Sequence, residues 1–331
     1  MKLSQKQKDF FYENGYLIIE DVITDAEIAP VRAEYAAILD REAPKLVAAG
    51  KLNQAYEHLP FEERYTKILG EMDDMYTLYQ HLDISLPLIA NIPADTQMHT
   101  GSATFHNILR NEKILDIAES ILGPEVYSNP TQHTRIKPPS AQLPQGVALD
   151  SSVGRTYWHQ DEAVLTDDAR DISMLTVWVA MTDAMVENGC MICVPGSHKK
   201  DGTLHCPAEG ASASEIYIPD ALIDEEAVTP MPVKKGGVVL LTQRTQHAAL
   251  ENKSDQIRWS FDLRFNKTGQ ATGREWFPGF VARSAADPES ELRDAQVWAD
   301  SWYAARDELV KQDELGFNSR WEEFKGHALC A

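Results

Sequence analysis

Cations are scarce in this chain: 31 Lys and Arg stand against 51 Asp and Glu among 331 residues, a formal charge of −20. Phosphate-rich partners need clustered Lys and Arg, so the balance excludes nucleic acid and weighs against a coenzyme A thioester. Long apolar runs are missing too. No window approaches the roughly 18 uninterrupted apolar residues of a membrane span, so no membrane partner is expected. The opening Met1-Lys2-Leu3-Ser4-Gln5-Lys6 lacks the apolar stretch of a secretory signal. Cysteine is sparse, and Cys190, Cys193, Cys206 and Cys330 are too few and too clustered for a disulfide framework. A reducing cytoplasm is the expected compartment. No internal repeat, low-complexity tract or splitting linker breaks the sequence. With 43% hydrophobic and 25% charged residues, the composition is that of one globular domain with a substantial core. The expected partner is a small-molecule substrate; self-association into a homo-oligomer stays open.

What is present falls into three stretches. Ser4 caps a first helix to about Glu13, Gly15 ends it, and Tyr16 to Ile19 reads as a strand. Thr24-Asp25-Ala26-Glu27 is a capping box that opens a long helix toward Arg41. Residues 45–105 are mixed and mostly helical, with breaks at Pro60, Pro87 and Pro93, and a helix from Asn111 to Leu122 stops at Gly123-Pro124. The pattern then changes to short β-rich runs: Gln132 to Lys137, Ser173 to Met181, Cys190 to Val194, Val238 to Thr242 and Trp259 to Phe265. Pro138 to Asp150 and Lys199 to Glu226 read as loops. Glu289 to Lys311 returns to helical periodicity and is expected to pack Leu292, Val297, Trp298, Trp302 and Leu309. The predicted fold is mainly β with flanking helices, a double-stranded β-helix of jelly-roll or cupin type. It forms a single domain, 1–331: an N-terminal helical region over 1–125, the β-helix core over 126–266 and a C-terminal helical extension over 267–331.

The sharpest chemical signal is Tyr157-Trp158-His159-Gln160-Asp161. On a strand, residues i and i+2 share a side, so the His159 imidazole and the Asp161 carboxylate converge while Gln160 points away. A second His from elsewhere would complete a two-His-one-carboxylate facial triad, the arrangement that leaves three cis positions open on Fe(II). A bidentate oxoacid takes two of them and O₂ the third. His-x-Asp alone is weak, because about one chance match is expected in a chain with ten histidines, and His81-Leu82-Asp83 supplies it in a helix-like stretch. Support for His159 and Asp161 comes later. Gly236 to Leu241 reads as a turn into a buried strand, followed closely by His247 and then by Arg258 and Ser260 at the start of another strand. A 2-oxoglutarate enzyme needs a buried cation for the far carboxylate, and a guanidinium binds carboxylates bidentately. Ser260, on the same face, adds a hydroxyl. The plainer alternatives are a solvent-exposed His247 and an Arg258 in a surface ion pair.

Read in order, these residues resemble the phytanoyl-CoA dioxygenase family of Fe(II)/2-oxoglutarate oxygenases. The likeness runs from Gly15-Tyr16 through Lys137-Pro138-Pro139, His159-Gln160-Asp161, Trp178 to Asp183, Glu187-Asn188-Gly189-Cys190 and Pro195-Gly196-Ser197-His198. It ends on His247, Asn252, Ser254 and Arg258. The resemblance implies that His159, Asp161 and His247 bind iron and that Arg258 anchors 2-oxoglutarate. It also implies that Trp178 and His133 line the co-substrate pocket. Related halogenases replace the carboxylate ligand with a small residue; Asp161 argues against halogenation. The implied reaction hydroxylates a small metabolite or natural product and releases succinate and CO₂. Desaturation, cyclisation or epoxidation at the same site, or action on an acyl-CoA, are alternatives. A cupin-like binding protein that holds metal without turnover is the alternative from another class.

Other signals read as structure. Cys190-Met191-Ile192-Cys193 falls inside a strand, where the two thiols should point to opposite faces, so neither zinc nor a disulfide is expected there. His198 sits in a tight turn. Residues 140–156 carry Arg155 as their single cation, whereas residues 201–230 carry Asp201, Glu209, Glu215, Asp220, Asp224, Glu225 and Glu226 with no Lys or Arg. If these loops rim the pocket, they favour a neutral or cationic small molecule over a coenzyme A ester.

Overall fold

Two antiparallel sheets face one another in the computed structural model, which describes residues 1–144, 153–200, 202–207, 216–315 and 319–330. The strands are β1 (Tyr16–Ile19), β2 (Glu125–Lys137), β3 (Thr156–His159), β4 (Leu175–Ala180), β5 (Met191–Cys193) and β6 (Cys206–Pro207). They continue as β7 (Ile216–Tyr217), β8 (Thr229–Met231), β9 (Val238–Thr242), β10 (His247–Ala249), β11 (Arg258–Lys267) and β12 (Phe280–Ser284). The larger sheet has the order β1-β9-β4-β11-β2-β12, the smaller β3-β10-β5-β8, and β6 pairs with β7 apart from both. The double-stranded β-helix expected from sequence is the observed core.

The alternation of β11 explains how the sheets are placed. Trp259, Phe261, Leu263 and Phe265 join the main apolar cluster together with residues of the helices. The intervening Arg258, Ser260, Asp262, Arg264 and Asn266 therefore share the opposite side, toward the space between the sheets. Trp178 and Val239 of the large sheet meet Met191, Cys193 and Ala249 of the small one in a second cluster inside that space. One strand thus seals the helical layer with its aromatic side and builds the site with its polar side.

Helices cover the outer side of the large sheet. In α1 (Gln5–Asn14), Ser4 and Gln7 form the capping box and Gly15, at φ 80°, closes the helix. The Gly15 carbonyl accepts the Thr245 hydroxyl at 2.6 Å and the Thr242 N–H at 3.1 Å, tying the helix end to the turn before β10. A Cβ there would lie 2.4 Å from His198 Nδ1 and 2.6 Å from Thr245 Oγ1, so only glycine fits. Helix α2 (Asp25–Ala48) is capped reciprocally by Thr24 and Glu27 and runs past Arg41, through Pro44. Its Tyr35 packs on Trp259 at 4.7 Å and hydrogen-bonds Thr134 at 2.6 Å. Beyond α3 (Phe61–Leu69), α4 (Tyr76–Leu82) sends the Tyr79 hydroxyl to the Thr134 carbonyl at 2.8 Å. After α5 (Glu112–Leu122), α6 (Ala295–Leu309) buries Trp298, Trp302 and Leu309. No helix among the described residues is long and apolar enough to cross a membrane.

Several expectations are corrected. Val297 is 51% exposed, because it lies on the outer face of α6. The region beyond 266, read as helical, contributes β12 to the large sheet beside β2. Cys206 and Cys330 form a disulfide with Cα atoms 5.4 Å apart. A sequence separation of 124 hid that pairing. Cys190 and Cys193 are free, as expected, but both pack into the same cluster, because Cys190 precedes β5 instead of continuing it.

Candidate active site

Residues His159 of β3 and His247 of β10 stand directly opposite in an antiparallel pair, with ring centroids 4.2 Å apart. Each ring is fixed from behind: His159 Nδ1 donates to the Tyr157 carbonyl at 2.8 Å and His247 Nδ1 to the Thr245 carbonyl at 2.9 Å. Both Nε2 atoms are left with lone pairs facing forward, the orientation metal-binding imidazoles need. Asp161 Oδ1 lies 3.8 Å from the first Nε2 and 3.9 Å from the second. The three ligand atoms fall within 4.8 Å of one another. Ligands at right angles on one ion, each about 2.1 Å away, are about 3 Å apart, so a small inward movement closes this set on a metal.

Asp161 follows β3 at the start of a short 3₁₀ turn and is fully buried. Its Oδ1 accepts a bond from Arg264 at 2.5 Å and its Oδ2 one from the Thr176 hydroxyl. Arg264 and Thr176 are register partners on β11 and β4, so the large sheet presents both to the ligand of the small one. Burial alone would raise the Asp161 carboxyl; Arg264, and then His247, outweigh it and hold the group well below the usual carboxylate range. Burial, followed by the neighbouring His247, lowers His159 to about 3, so it is neutral and able to ligate at pH 7. Gln160 points away, as expected from the strand. Its N–H donates to His205 Nε2 at 3.0 Å, its side-chain amide donates to the Arg244 carbonyl at 2.6 Å, and its Oε1 accepts from Thr203 N–H at 2.9 Å.

The other predicted residues gather in two places. Arg258 is fully buried on β11 and donates Nη1 to Ser260 Oγ at 2.8 Å, and its guanidinium lies 5.3 Å from the Trp178 ring centre. Its Nε and Nη2, and the Trp178 indole N–H, meet no acceptor. Neither a surface ion pair for Arg258 nor an exposed His247 survives, since both residues are buried. Burial lowers the Arg258 pKa to about 10, still charged at neutral pH. Leaving two such N–H groups without acceptors costs on the order of 1–3 kcal/mol each, so the site is built for a planar anionic acceptor. His133 lies elsewhere, on the wall of a cavity of about 220 Å³ that reaches His159 and Asp161.

That cavity also involves residues the sequence reading placed differently. Asp83, taken as part of a chance motif remote from the site, accepts His133 Nδ1 at 2.8 Å and lines the cavity, whereas His81 lies beside Glu42 at 3.7 Å. Arg264, Thr176 and Arg274 were missed. Arg264 was within reach, because it has the same parity as Arg258 on one strand. Asp220, Asp224, Glu225 and Glu226 are not among the cavity's described lining residues, so this part of the acidic stretch forms no rim. Asp201, Glu209 and Glu215 lie outside the described residues. Burial lifts the Cys193 thiol to about 12, which suits a packed hydrophobe and not a metal or redox ligand.

The model of the phytanoyl-CoA dioxygenase (PhyH) family matches residues 11–260. The chain belongs to that family. Among curated relatives of this phytanoyl-CoA dioxygenase family member, phytanoyl-CoA dioxygenase domain-containing protein 1 of Mus musculus is 31% identical over 288 residues, covering 84% of this chain and 94% of its own. The peroxisomal phytanoyl-CoA dioxygenase of Homo sapiens is 24% identical, with coverage of 80% and 68%. Solved structures share the fold at lower identity. The non-heme monooxygenase ThoJ superposes with a TM-score of 0.57 at 18% identity, over 92% of this chain and 97% of its own. EvdO2 from Micromonospora carbonacea var. aurantiaca, complexed with 2-oxoglutarate, gives 0.51 at 19%, over 82% and 94%.

Proposed function

We propose that this family member is an Fe(II)- and 2-oxoglutarate-dependent dioxygenase that hydroxylates a small organic molecule. The observation that carries the reading is the pairing of a convergent His-Asp-His set with a buried arginine that has two N–H groups without acceptors. A simple metal-binding protein has no use for the second feature. The residues fit both groups: His159 Nε2, His247 Nε2 and Asp161 Oδ1 would hold iron, and Arg258 with Ser260 would hold the far carboxylate of 2-oxoglutarate beside Trp178. Iron with 2-oxoglutarate and O₂ supplies oxidative decarboxylation to succinate and CO₂ coupled to oxidation of a substrate C–H bond.

The chain's own work is positioning. Thr176 and Arg264 fix the Asp161 carboxylate, so it cannot rotate away from the two imidazoles. The Tyr157 and Thr245 carbonyls fix the rings. Burial of Asp161, His247 and Arg258 excludes water from the charged groups. Desaturation, cyclisation or epoxidation would use the same residues, since the outcome follows from substrate placement within about an ångström.

The test is metal and co-substrate stoichiometry. Anaerobically loaded protein should bind one Fe(II) or Mn(II) per chain and release succinate from 2-oxoglutarate. His159→Ala and His247→Ala should each lower metal affinity at least about a hundredfold, as loss of one ligand in three implies. Wild-type metal binding in both variants would sink the assignment.

A further inference from the structure

The cavity beside His159 and Asp161 has basic walls. Among its described lining residues, Arg135, Arg264 and Arg274 carry permanent positive charge against the carboxylates of Asp83 and Asp161. Arg135 is met by Asp262 at 2.8 Å, behind the wall. Asp83 is held by His133 and by the Thr134 N–H, each at 2.8 Å. Arg264 gives one N–H to Asp161 and another to the Thr131 carbonyl at 3.0 Å, while its buried Nε has no acceptor. Arg274 is 7% exposed; burial, and then the charge of Arg264, lower its pKa to about 9, so it stays protonated at pH 7.

Charge balance turns this lining into a specificity. On the reading above, a divalent iron, a 2-oxoglutarate dianion, Asp161 and Arg258 cancel one another. Arg135 and Asp262 cancel too. Arg264 and Arg274 are then opposed by Asp83 alone among the described residues, and Asp83 already bonds His133. An uncompensated buried cation is costly, and a ligand that brings a negative charge removes the cost. Tyr79, Phe277, Leu86 and Val164 supply an apolar wall beside it. The volume of about 220 Å³ falls below the roughly 300–1,000 Å³ of pockets for drug-sized ligands.

We propose that the substrate is a small carboxylic acid whose carboxylate lies against Arg274 and Arg264 while its hydrocarbon part faces the His-Asp-His set. The proposal rests on the oxygenase reading and replaces the expectation of a neutral or cationic substrate. The test uses full-length protein loaded anaerobically with Fe(II) and 2-oxoglutarate, with metal and 2-oxoglutarate occupancy measured first. Loss of either occupancy speaks against the oxygenase reading itself. Loaded protein is then titrated with short aliphatic and aryl carboxylic acids, their primary amides and their coenzyme A esters, following binding by thermal shift and turnover by succinate. The acids should bind at least about tenfold more tightly than the amides, a difference of about 1.4 kcal/mol. Arg274→Gln should reduce that preference to below about threefold, and Arg274→Lys should keep part of it. Equal responses to acid and amide, including no response to either, overturn the proposal. So does a response confined to the coenzyme A esters, or a full preference retained in Arg274→Gln. The comparison on wild-type protein decides the matter even if a variant fails to fold.

Discussion

Arg258 buries a full positive charge and leaves two of its N–H groups without acceptors. Removing the cation should therefore weaken 2-oxoglutarate far more than metal. Arg258→Ala is expected to cost on the order of 2–5 kcal/mol in 2-oxoglutarate binding, about thirtyfold or more, with metal stoichiometry kept. Arg258→Lys should recover only part of it, since an ammonium lacks the planar fork. Isothermal titration of 2-oxoglutarate into Mn(II)-loaded protein checks this; wild-type affinity in Arg258→Ala would mean that another cation, Lys137 first, is the anchor. At this scale the sequence was most legible where function depends on short-range spacing. His159 and Asp161 share a strand side, His247 follows a buried strand, and Arg258 and Ser260 share a face. Thr176 and Asp83 were invisible, because their partners Asp161 and His133 lie 15 and 50 positions away and meet through tertiary register.

Elements rich in apolar residues were legible, and those at the sheet's margin were not. β4, β9 and β11 are buried along nearly their whole length and read as apolar runs. β12 alternates buried and half-buried residues at a sheet edge and contains Arg283, so its pattern is faint. Helix α2 outran its predicted end because packing of Ala43 and Leu46 outweighs the bond lost at Pro44. The same helix anchors the segment before α5. Glu34 accepts the N–H groups of Ala103 at 2.6 Å and Thr104 at 3.0 Å and faces His99 at 3.4 Å. Burial pushes the Glu34 carboxyl up, but these contacts outweigh it and leave its pKa below 4.5. A lowered folded-state pKa stabilises above the unfolded value and loses that effect as pH falls through the folded one. Glu34→Gln should thus lower stability by about 1 kcal/mol at pH 7, with the deficit shrinking below about pH 4. Denaturant melts at the two pH values measure it, and a deficit independent of pH would contradict the carboxylate's role.

Across the whole molecule, the Cys206–Cys330 disulfide draws the last residues onto the back of the site. Trp321 donates its indole N–H to the Ala163 carbonyl at 2.8 Å and packs on His205 at 4.9 Å, and His205 in turn accepts the Gln160 N–H. The C-terminal segment therefore rests on backbone adjoining Asp161. Such a bridge contributes typically 2–4 kcal/mol, and a reducing compartment would hold the pair as thiols. Reduction, or Cys330→Ser, should raise deuterium uptake over residues 319–330 and, to a lesser degree, over 160–165. Unchanged uptake in both segments would mean that packing alone holds the tail.

The tie between Gly15 and the turn before His247 also sets an order of events during synthesis. A chain elongating at about 5–20 residues per second presents His159 and Asp161 several seconds before His247 exists. Strand β1 waits for β9 over the same interval, and Asp161 waits longer still for Arg264. The proposed iron ligands can therefore converge only after β11 has left the ribosome, which makes metal capture a late event, open to competition among the ions the finished protein meets first.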